Sequence, residues 1–176
     1  MIIKISDDII LSQINKKDRP LLIKYLNDQD IYKNTLKIPH PYTARDADWW
    51  IKHVKDKRSE CGRLTNFSIK DKYMNLIGGI GYHLKYGITS HKDEVGYWLA
   101  KDYWNNGIMT KVLKKFCEIG FNENNLIRIE AIVFEYNLAS ARVLEKNGFK
   151  KEGLLKKYVY KDGRYLNVFL YALVKE

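Results

Sequence analysis

Residues that build metal centres, disulfide scaffolds and membrane spans are scarce in this chain. It carries two cysteines, Cys61 and Cys117, four histidines and three prolines in 176 residues. The cysteines show neither metal nor disulfide spacing, and His40, His53, His83 and His91 have no ligand spacing, so no metal is expected. No apolar run nears the ~20 residues that cross a bilayer. The opening stretch to Asp18 places Asp7-Asp8 inside its apolar part and offers no small-residue cleavage site, so it does not read as a signal peptide. A cytoplasmic protein without membrane attachment is the expectation. The phosphate loop that ends in Gly-Lys-Ser/Thr is missing, as is the Gly-x-Ser-x-Gly nucleophile elbow. Gly78-Gly79-Ile80-Gly81 is no dinucleotide fingerprint, because Leu84 stands where a third glycine belongs; its glycines suit a strand that bends or is closely approached.

Acidic residues are also outnumbered, 21 against 31 Lys and Arg, which leaves a net charge of +10. Such an excess favours polyanions: nucleic acid, ribosomes or phosphorylated cofactors. The densest lysine groups are only pairs (Lys114-Lys115, Lys150-Lys151, Lys156-Lys157), as on a solvated basic surface, so charge alone decides nothing. A hydrophobic share of 45% and an aromatic share of 13% provide a core. A chain of this length buries about 70% of its unfolded surface. No linker, repeat or low-complexity tract divides it, and one domain over 1–176 is expected.

Periodicity and punctuation order the elements. Ile9 to Ile14 reads as a strand, and Asp18-Arg19-Pro20 starts a helix with Asp18 as N-cap and Leu21, Leu22, Tyr25 and Leu26 as its apolar stripe. Asn34 to Tyr42 is irregular around its prolines. Thr43-Ala-Arg-Asp46 is a capping box that opens a helix with Ala47, Trp50, Ile51 and Val54 on one face. Strands follow at Arg63 to Lys70 and Leu76 to Tyr86. Leu126 to Phe134 alternates as a strand, Asn137 to Lys146 is a short helix stopped by Asn147-Gly148, and Phe149 to Val174 is a hairpin turning at Lys161-Asp162-Gly163.

The most informative stretch is Glu94 to Thr110. A strand ending in Tyr97-Trp98-Leu99-Ala100 meets an Asn105-Asn106-Gly107 turn that runs straight into a helix from Ile108 to Phe121, with Ile108, Val112 and Phe116 facing inward. A turn feeding a helix aims unpaired N–H groups at one spot beside the positive end of the helix dipole, which suits a phosphate or pyrophosphate. Gly107 allows close approach of a ligand, and Asn105 and Asn106 tolerate left-handed backbone. Further on comes Asn137-Leu-Ala-Ser140-Ala-Arg-Val-Leu-Glu-Lys-Asn-Gly148-Phe149, whose Asn137 is also a good N-cap.

Together these two blocks resemble the GNAT superfamily of N-acetyltransferases, whose pyrophosphate loop reads Gln or Arg, two residues, Gly, one residue, Gly or Ala. The register here is Trp104 to Met109. The tryptophan and the Gly-Ile-x-Thr that follows are similar to the branch of ribosomal-protein N-terminal acetyltransferases, as is the block from Asn137 to Phe149. Departures are Asn105 for the usual glycine, Met109 for a small residue, Leu144 where many members place a thiolate-protonating tyrosine, and Asn167 where relatives often have Asp. Met109 either crowds the pyrophosphate or turns away.

The resemblance implies an α/β (α+β) fold with a mixed, mostly antiparallel sheet of about seven strands, helices on both faces, splayed between the fourth strand (about Glu94 to Ala100) and the fifth (about Leu126 to Phe134). It implies an acetyl-CoA-dependent enzyme moving an acetyl group directly to a primary amine, without metal. Trp98, Leu99 and Ala100 would offer backbone groups to the pantetheine and thioester. Asn105, Asn106, Gly107, Ile108, Met109 and Thr110 would cradle the pyrophosphate, with Lys111, Arg142 and Lys146 near the 3′-phosphate. Asn137 would bond a pantetheine amide, Ser140 would donate to the departing thiolate, and Glu94 would act as base, through water. Tyr42, Trp50 and Trp98 are the acceptor-side aromatics, with Trp49, and Tyr158, Tyr160 and Tyr165 of the hairpin as further candidates. The acceptor expected is a protein N-terminal α-amine, with possible ribosome association, in a monomer or homodimer. A small-molecule amine (polyamine, amino acid, antibiotic) and a non-catalytic basic RNA- or ribosome-binding module stay open.

Overall fold

In a computed structural model, residues 2–61, 65–83 and 87–176 are described. The strands are β1 (Ile2–Lys4), β2 (Ile9–Ser12), β3 (Asn66–Asp71), β4 (Leu76–Tyr82), β5 (Lys92–Leu99), β6 (Arg128–Phe134), β7 (Lys150–Lys161) and β8 (Arg164–Val174). The helices are α1 (Arg19–Leu26), α2 (Gln29–Asn34), α3 (Ala44–Cys61), α4 (Ile108–Asn122) and α5 (Leu138–Lys146). The strands form one mixed sheet in the order β1-β2-β3-β4-β5-β6-β8-β7, with β5 and β6 parallel. That is the expected fold with eight strands instead of about seven. The extra one is β1, a three-residue edge strand too short to show a period. α2 is also beyond the pattern, being six residues long, although Asp28 caps it by accepting from the Asp30 and Ile31 N–H groups.

The chain forms two compact units, Met1–Gly81 with Tyr97–Ile108, and Tyr82–Gly96 with Met109–Glu176. In the first, the apolar faces of α1 and α3 bury Leu22, Leu26, Ala47 and Val54 with Ile14, Ile31, Tyr42 and Leu76, and Trp50, Trp98 and Trp104 lie against them. α3 starts at the predicted capping box: the Thr43 N–H donates to Asp46 Oδ2 at 2.7 Å and the Asp46 N–H to Thr43 Oγ1 at 3.3 Å. β3 begins at Asn66, and the expected strand start at Arg63 and Leu64, like the strand end at Leu84 to Tyr86, lies outside the described residues.

Asp18 departs from expectation. It makes no side-chain cap on α1. Its carboxylate accepts the Asn15 N–H at 2.9 Å and pairs with Lys70 Nζ at 2.7 Å, both side chains being almost fully buried. The pull of a buried ammonium outweighs one exposed cap bond, because an ion withdrawn from water needs a counter-ion.

In the second unit β6 pairs with β8 over its whole length, from Arg128↔Val174 to Phe134↔Val168. The β7–β8 hairpin turns on Asp162 and Gly163, both at positive φ, with Lys161 opposite Arg164. That is the two-residue turn whose twist matches the strands it joins, one residue shorter than expected. α5 ends in the anticipated glycine stop: Gly148, at φ +83°, donates to Glu145 O and Phe149 donates to Leu144 O. α4 buries Val112, Leu113, Phe116 and Cys117, and the Tyr82 hydroxyl donates to Phe116 O at 3.1 Å. Burial pushes the Cys117 thiol up to about 12.

Charged residues fasten β5 to β6. Glu130 accepts from Lys92 Nζ at 2.9 Å and from Arg128 Nε at 2.8 Å, and Arg128 reaches on to Glu152 at 2.9 Å. Burial opposes the Glu130 charge, but the Arg128 and Lys92 bonds prevail and hold its carboxyl below the usual range. The Arg128 bond likewise depresses Glu152. In the first unit, bonds from Lys101 and Lys33 hold Asp30 at about 2.

Two outcomes are expected from these charges. Asp18→Ala strands the Lys70 ammonium and is expected to cost about 3–5 kcal/mol in urea unfolding; adding Lys70→Met is expected to recover most of the loss. Because Asp30, Glu130 and Glu152 titrate lower when folded, the unfolded chain takes up protons first on acidification. The stability they contribute is complete above about pH 5 and drains away as pH falls toward about 2. A urea midpoint equal at pH 7 and pH 3 would contradict this.

Candidate active site

The turn before α4 has the geometry that the sequence suggested. Asn105 and Gly107 sit at φ +62° and +69°, and nothing lies within 4 Å of the place where a Cβ on Gly107 would stand. Asn105, Asn106 and Gly107 are exposed, and α4 begins at once with Ile108. The first-turn N–H groups of a helix have no intrahelical acceptor, so the turn presents donors and open space together, at the positive end of a 15-residue dipole. Met109 is 7% exposed and so turns into the protein, leaving the turn uncrowded. Ile108, expected to face inward, is half-buried, and Met109 takes the inward position. Thr110 is half-buried and Lys111 exposed.

Three ties fix the approach to this turn. The Trp104 indole N–H donates to Leu99 O at 2.7 Å, Asn106 Nδ2 donates to Trp104 O at 3.0 Å, and Lys101 forms an ion pair with Asp30 of α2. The indole packs on the core around Leu22 and Val54. The tryptophan of the motif thus has a structural role, converting a loop into a braced bend.

Of the strand residues read as backbone contributors, Ala100 has its N–H committed to Ile77 O at 2.8 Å on β4. The Leu99 carbonyl is taken by Trp104. Alternation along a strand then turns the Leu99 N–H to the edge of β5 away from β4. Trp98 instead serves β4: its carbonyl and indole occupy the spaces that side chains at Gly78 and Gly79 would need, 2.6 and 2.7 Å from a Cβ built there. The glycines of β4 are therefore a close-approach device, as their sequence suggested. On the opposite edge of β5 the pairing with β6 ends at Glu94↔Glu130, although β5 runs on to Leu99 and β6 to Phe134.

Glu94 is mostly shielded. Its carboxylate lies 2.9 Å from His83 Nδ1, while the His83 N–H donates to Glu94 O at 3.0 Å. Sequence reasoning passes over His83, since nothing in the one-dimensional pattern places it opposite Glu94. A β4–β5 antiparallel register, drawn from the alternation of both segments, is the signal available.

Asn137 caps α5, its Oδ1 accepting the Ser140 N–H at 3.1 Å. Ser140 is half-buried in the first turn of α5. Of the acceptor-side aromatics, Tyr42 is 5% exposed, and its backbone exchanges two hydrogen bonds with the Asn27 amide, at 2.7 and 2.9 Å. It is a core residue, and burial pushes its phenol upward. Trp50 and Trp98 are half-buried on the same cluster. Trp49 is exposed and stacks on His53. Tyr158, Tyr160 and Tyr165 are exposed on the hairpin, with the last two rings 5.0 Å apart. Arg142 and Lys146 are exposed on α5. Asn167 donates to Glu135 and accepts the Lys157 N–H at 2.8 Å, so it braces the β7–β8 bulge.

Comparison with known proteins agrees with this geometry. An Acetyltransferase (GNAT) domain matches residues 8–150. The chain is 40% identical over 100 residues to the uncharacterized N-acetyltransferase YoaA of Bacillus subtilis, covering 57% of this chain and 56% of that one. It is 30% identical over 173 residues to the uncharacterized N-acetyltransferase p20 of Bacillus licheniformis, covering 97% and 94%. The L-amino acid N-acetyltransferase AaaT of Escherichia coli is 25% identical, covering 96% and 99%. The putative ribosomal N-acetyltransferase YdaF of Bacillus subtilis is 27% identical, covering 98% and 94%. Among solved structures, the ribosomal L7/L12 α-N-protein acetyltransferase RimL bound to coenzyme A superposes with TM-score 0.88 at 19% identity, covering 99% and 98%. These matches, and a braced turn that leads straight into α4, lead to one conclusion: the chain belongs to the GNAT family of acetyltransferases and is an N-acetyltransferase.

Proposed function

We propose that the protein is a single-domain enzyme of the cytoplasm that transfers an acetyl group from acetyl-CoA directly to a primary amine, and that its favoured acceptor is a protein N-terminal α-amine. The observation that carries the reading is the open turn Asn105–Gly107, with Asn105 and Gly107 at positive φ, at the start of α4, whose first N–H groups have no intrahelical acceptor. A diphosphate fits that turn for three reasons: space at Gly107, N–H groups aimed outward, and the dipole behind them.

The roles divide among few residues. Asn105 to Thr110 hold the pyrophosphate through backbone. The Leu99 N–H, on the edge of β5 not bonded to β4, donates to the thioester carbonyl, where charge develops; one such donor is commonly worth about 3 kcal/mol. Asn137 offers its amide NH2 to a pantetheine carbonyl, and the Ser140 hydroxyl donates a hydrogen bond to the departing thiolate. Glu94 accepts the proton that the amine sheds as the new bond forms, through water. Acetyl transfer needs a neutral amine. An α-amine titrates near ~8 and a lysine side chain near ~10.4, so the α-amine is neutral a few hundred times more often at pH 7. The full-length likeness to YdaF, named as a putative ribosomal N-acetyltransferase, supports a ribosomal protein as the acceptor. The second reading is an amino-acid or other small amine, favoured by the full-length likeness to AaaT.

Gly107→Val places a β-branched residue at φ +69° and fills the open space. It is expected to raise the KM for acetyl-CoA by at least about tenfold with little change in saturated kcat. Ser140→Ala keeps the N–H that bonds Asn137, so it tests the hydroxyl alone: kcat is expected to fall while the acetyl-CoA dissociation constant holds. A panel of N-terminal peptides and free amines, scored by release of the CoA thiol, distinguishes the acceptors. Turnover confined to amino acids would remove the peptide reading.

A further inference from the structure

The pair formed by His83 and Glu94 stands at a meaningful place: Glu94 is the last residue of β5 that pairs with β6. A carboxylate can only accept, so Nδ1 of His83 carries the proton in this contact and donates to Glu94 Oε1 over 2.9 Å. The backbone bond from the His83 N–H to Glu94 O, at 3.0 Å, fixes the two residues opposite each other. Gly96 gives the ring its room, since a Cβ there would lie 3.2 Å from His83 Nε2. The Glu94 side chain is 15% exposed and that of His83 30%, so the contact is shielded enough for its direction to persist.

We propose that His83 is a positioning residue for the acetyl transfer: its Nδ1–H fixes the rotamer of the Glu94 carboxylate and thereby its orientation toward the water or amine proton it accepts. This rests on the reading of Glu94 as base. A base with a free rotamer spends most of its time misdirected, and a displacement of ~1 Å at a reacting group costs up to about a hundredfold in rate. An imidazole anchored through its own backbone removes that freedom.

Steady-state kinetics on His83→Ala, His83→Asn, His83→Gln, Glu94→Gln and the Ala/Gln double variant tests this. His83→Ala is expected to lower kcat by about 10- to 100-fold and to leave the KM for acetyl-CoA within about twofold. His83→Asn, whose amide nitrogen sits where Nδ1 does, is expected to restore most of kcat, whereas His83→Gln, whose amide lies farther out, is not. In the Glu94→Gln background, His83→Ala is expected to have no further effect, because the two residues act as a unit. An impaired Glu94→Gln alongside a fully active His83→Ala overturns the positioning role alone. A fully active Glu94→Gln overturns the base reading and this inference with it. Should His83→Ala not fold by circular dichroism, the Asn and Gln variants decide: equal activities overturn the proposal.

Discussion

A parallel ladder only three residues long, Lys92 to Glu94 against Arg128 to Glu130, is the constraint on which the rest depends. Parallel pairing is the weaker kind per residue, and here one ion pair reinforces it: Lys92 of β5 meets Glu130 of β6, which Arg128 of the same strand also holds while reaching on to Glu152 of β7. Beyond the ladder β5 stays bonded to β4, the Ala100 N–H donating to Ile77 O. A strand in that position can lend backbone groups to something that is not protein, and this is why the functional reading rests on backbone more than on side chains.

The same economy runs through the turn before α4. Asn105 and Gly107 supply conformations that most residues resist, while Trp104 and Lys101 prevent the segment from relaxing. An anion site made of N–H groups is effective only if those groups are already in place, since ordering them on binding costs conformational entropy. The indole bond to Leu99 O ties the end of β5 to the turn, so one tryptophan sets the position of two sets of backbone donors.

Punctuation makes much of the fold legible in the sequence. Thr43 with Asp46, Asn147-Gly148, and Asp162-Gly163 each have a local physical reason and each ends or starts an element where the residues indicate. Short elements are illegible, because β1 and α2 span less than a period can reveal. Partners separated in sequence are illegible for another reason. Asp18 resembles a cap because its neighbours are a helix start, and only the β2–β3 pairing brings Lys70 within reach of it. His83 looks idle in the sequence because its partner is set by strand register. Of the candidate site residues, the turn conformation at Asn105 and Gly107 follows from the motif, whereas the near-complete burial of Tyr42 comes from packing that the sequence does not display.

Cys117 carries a practical corollary. Buried in α4 with its proton held up to about 12, it exposes roughly one part in ten thousand of reactive thiolate at pH 8. Chromogenic disulfide reagents added to follow turnover will therefore titrate liberated coenzyme with no contribution from this side chain while the fold is intact. A slow rise in colour from Cys117 would instead record the protein opening.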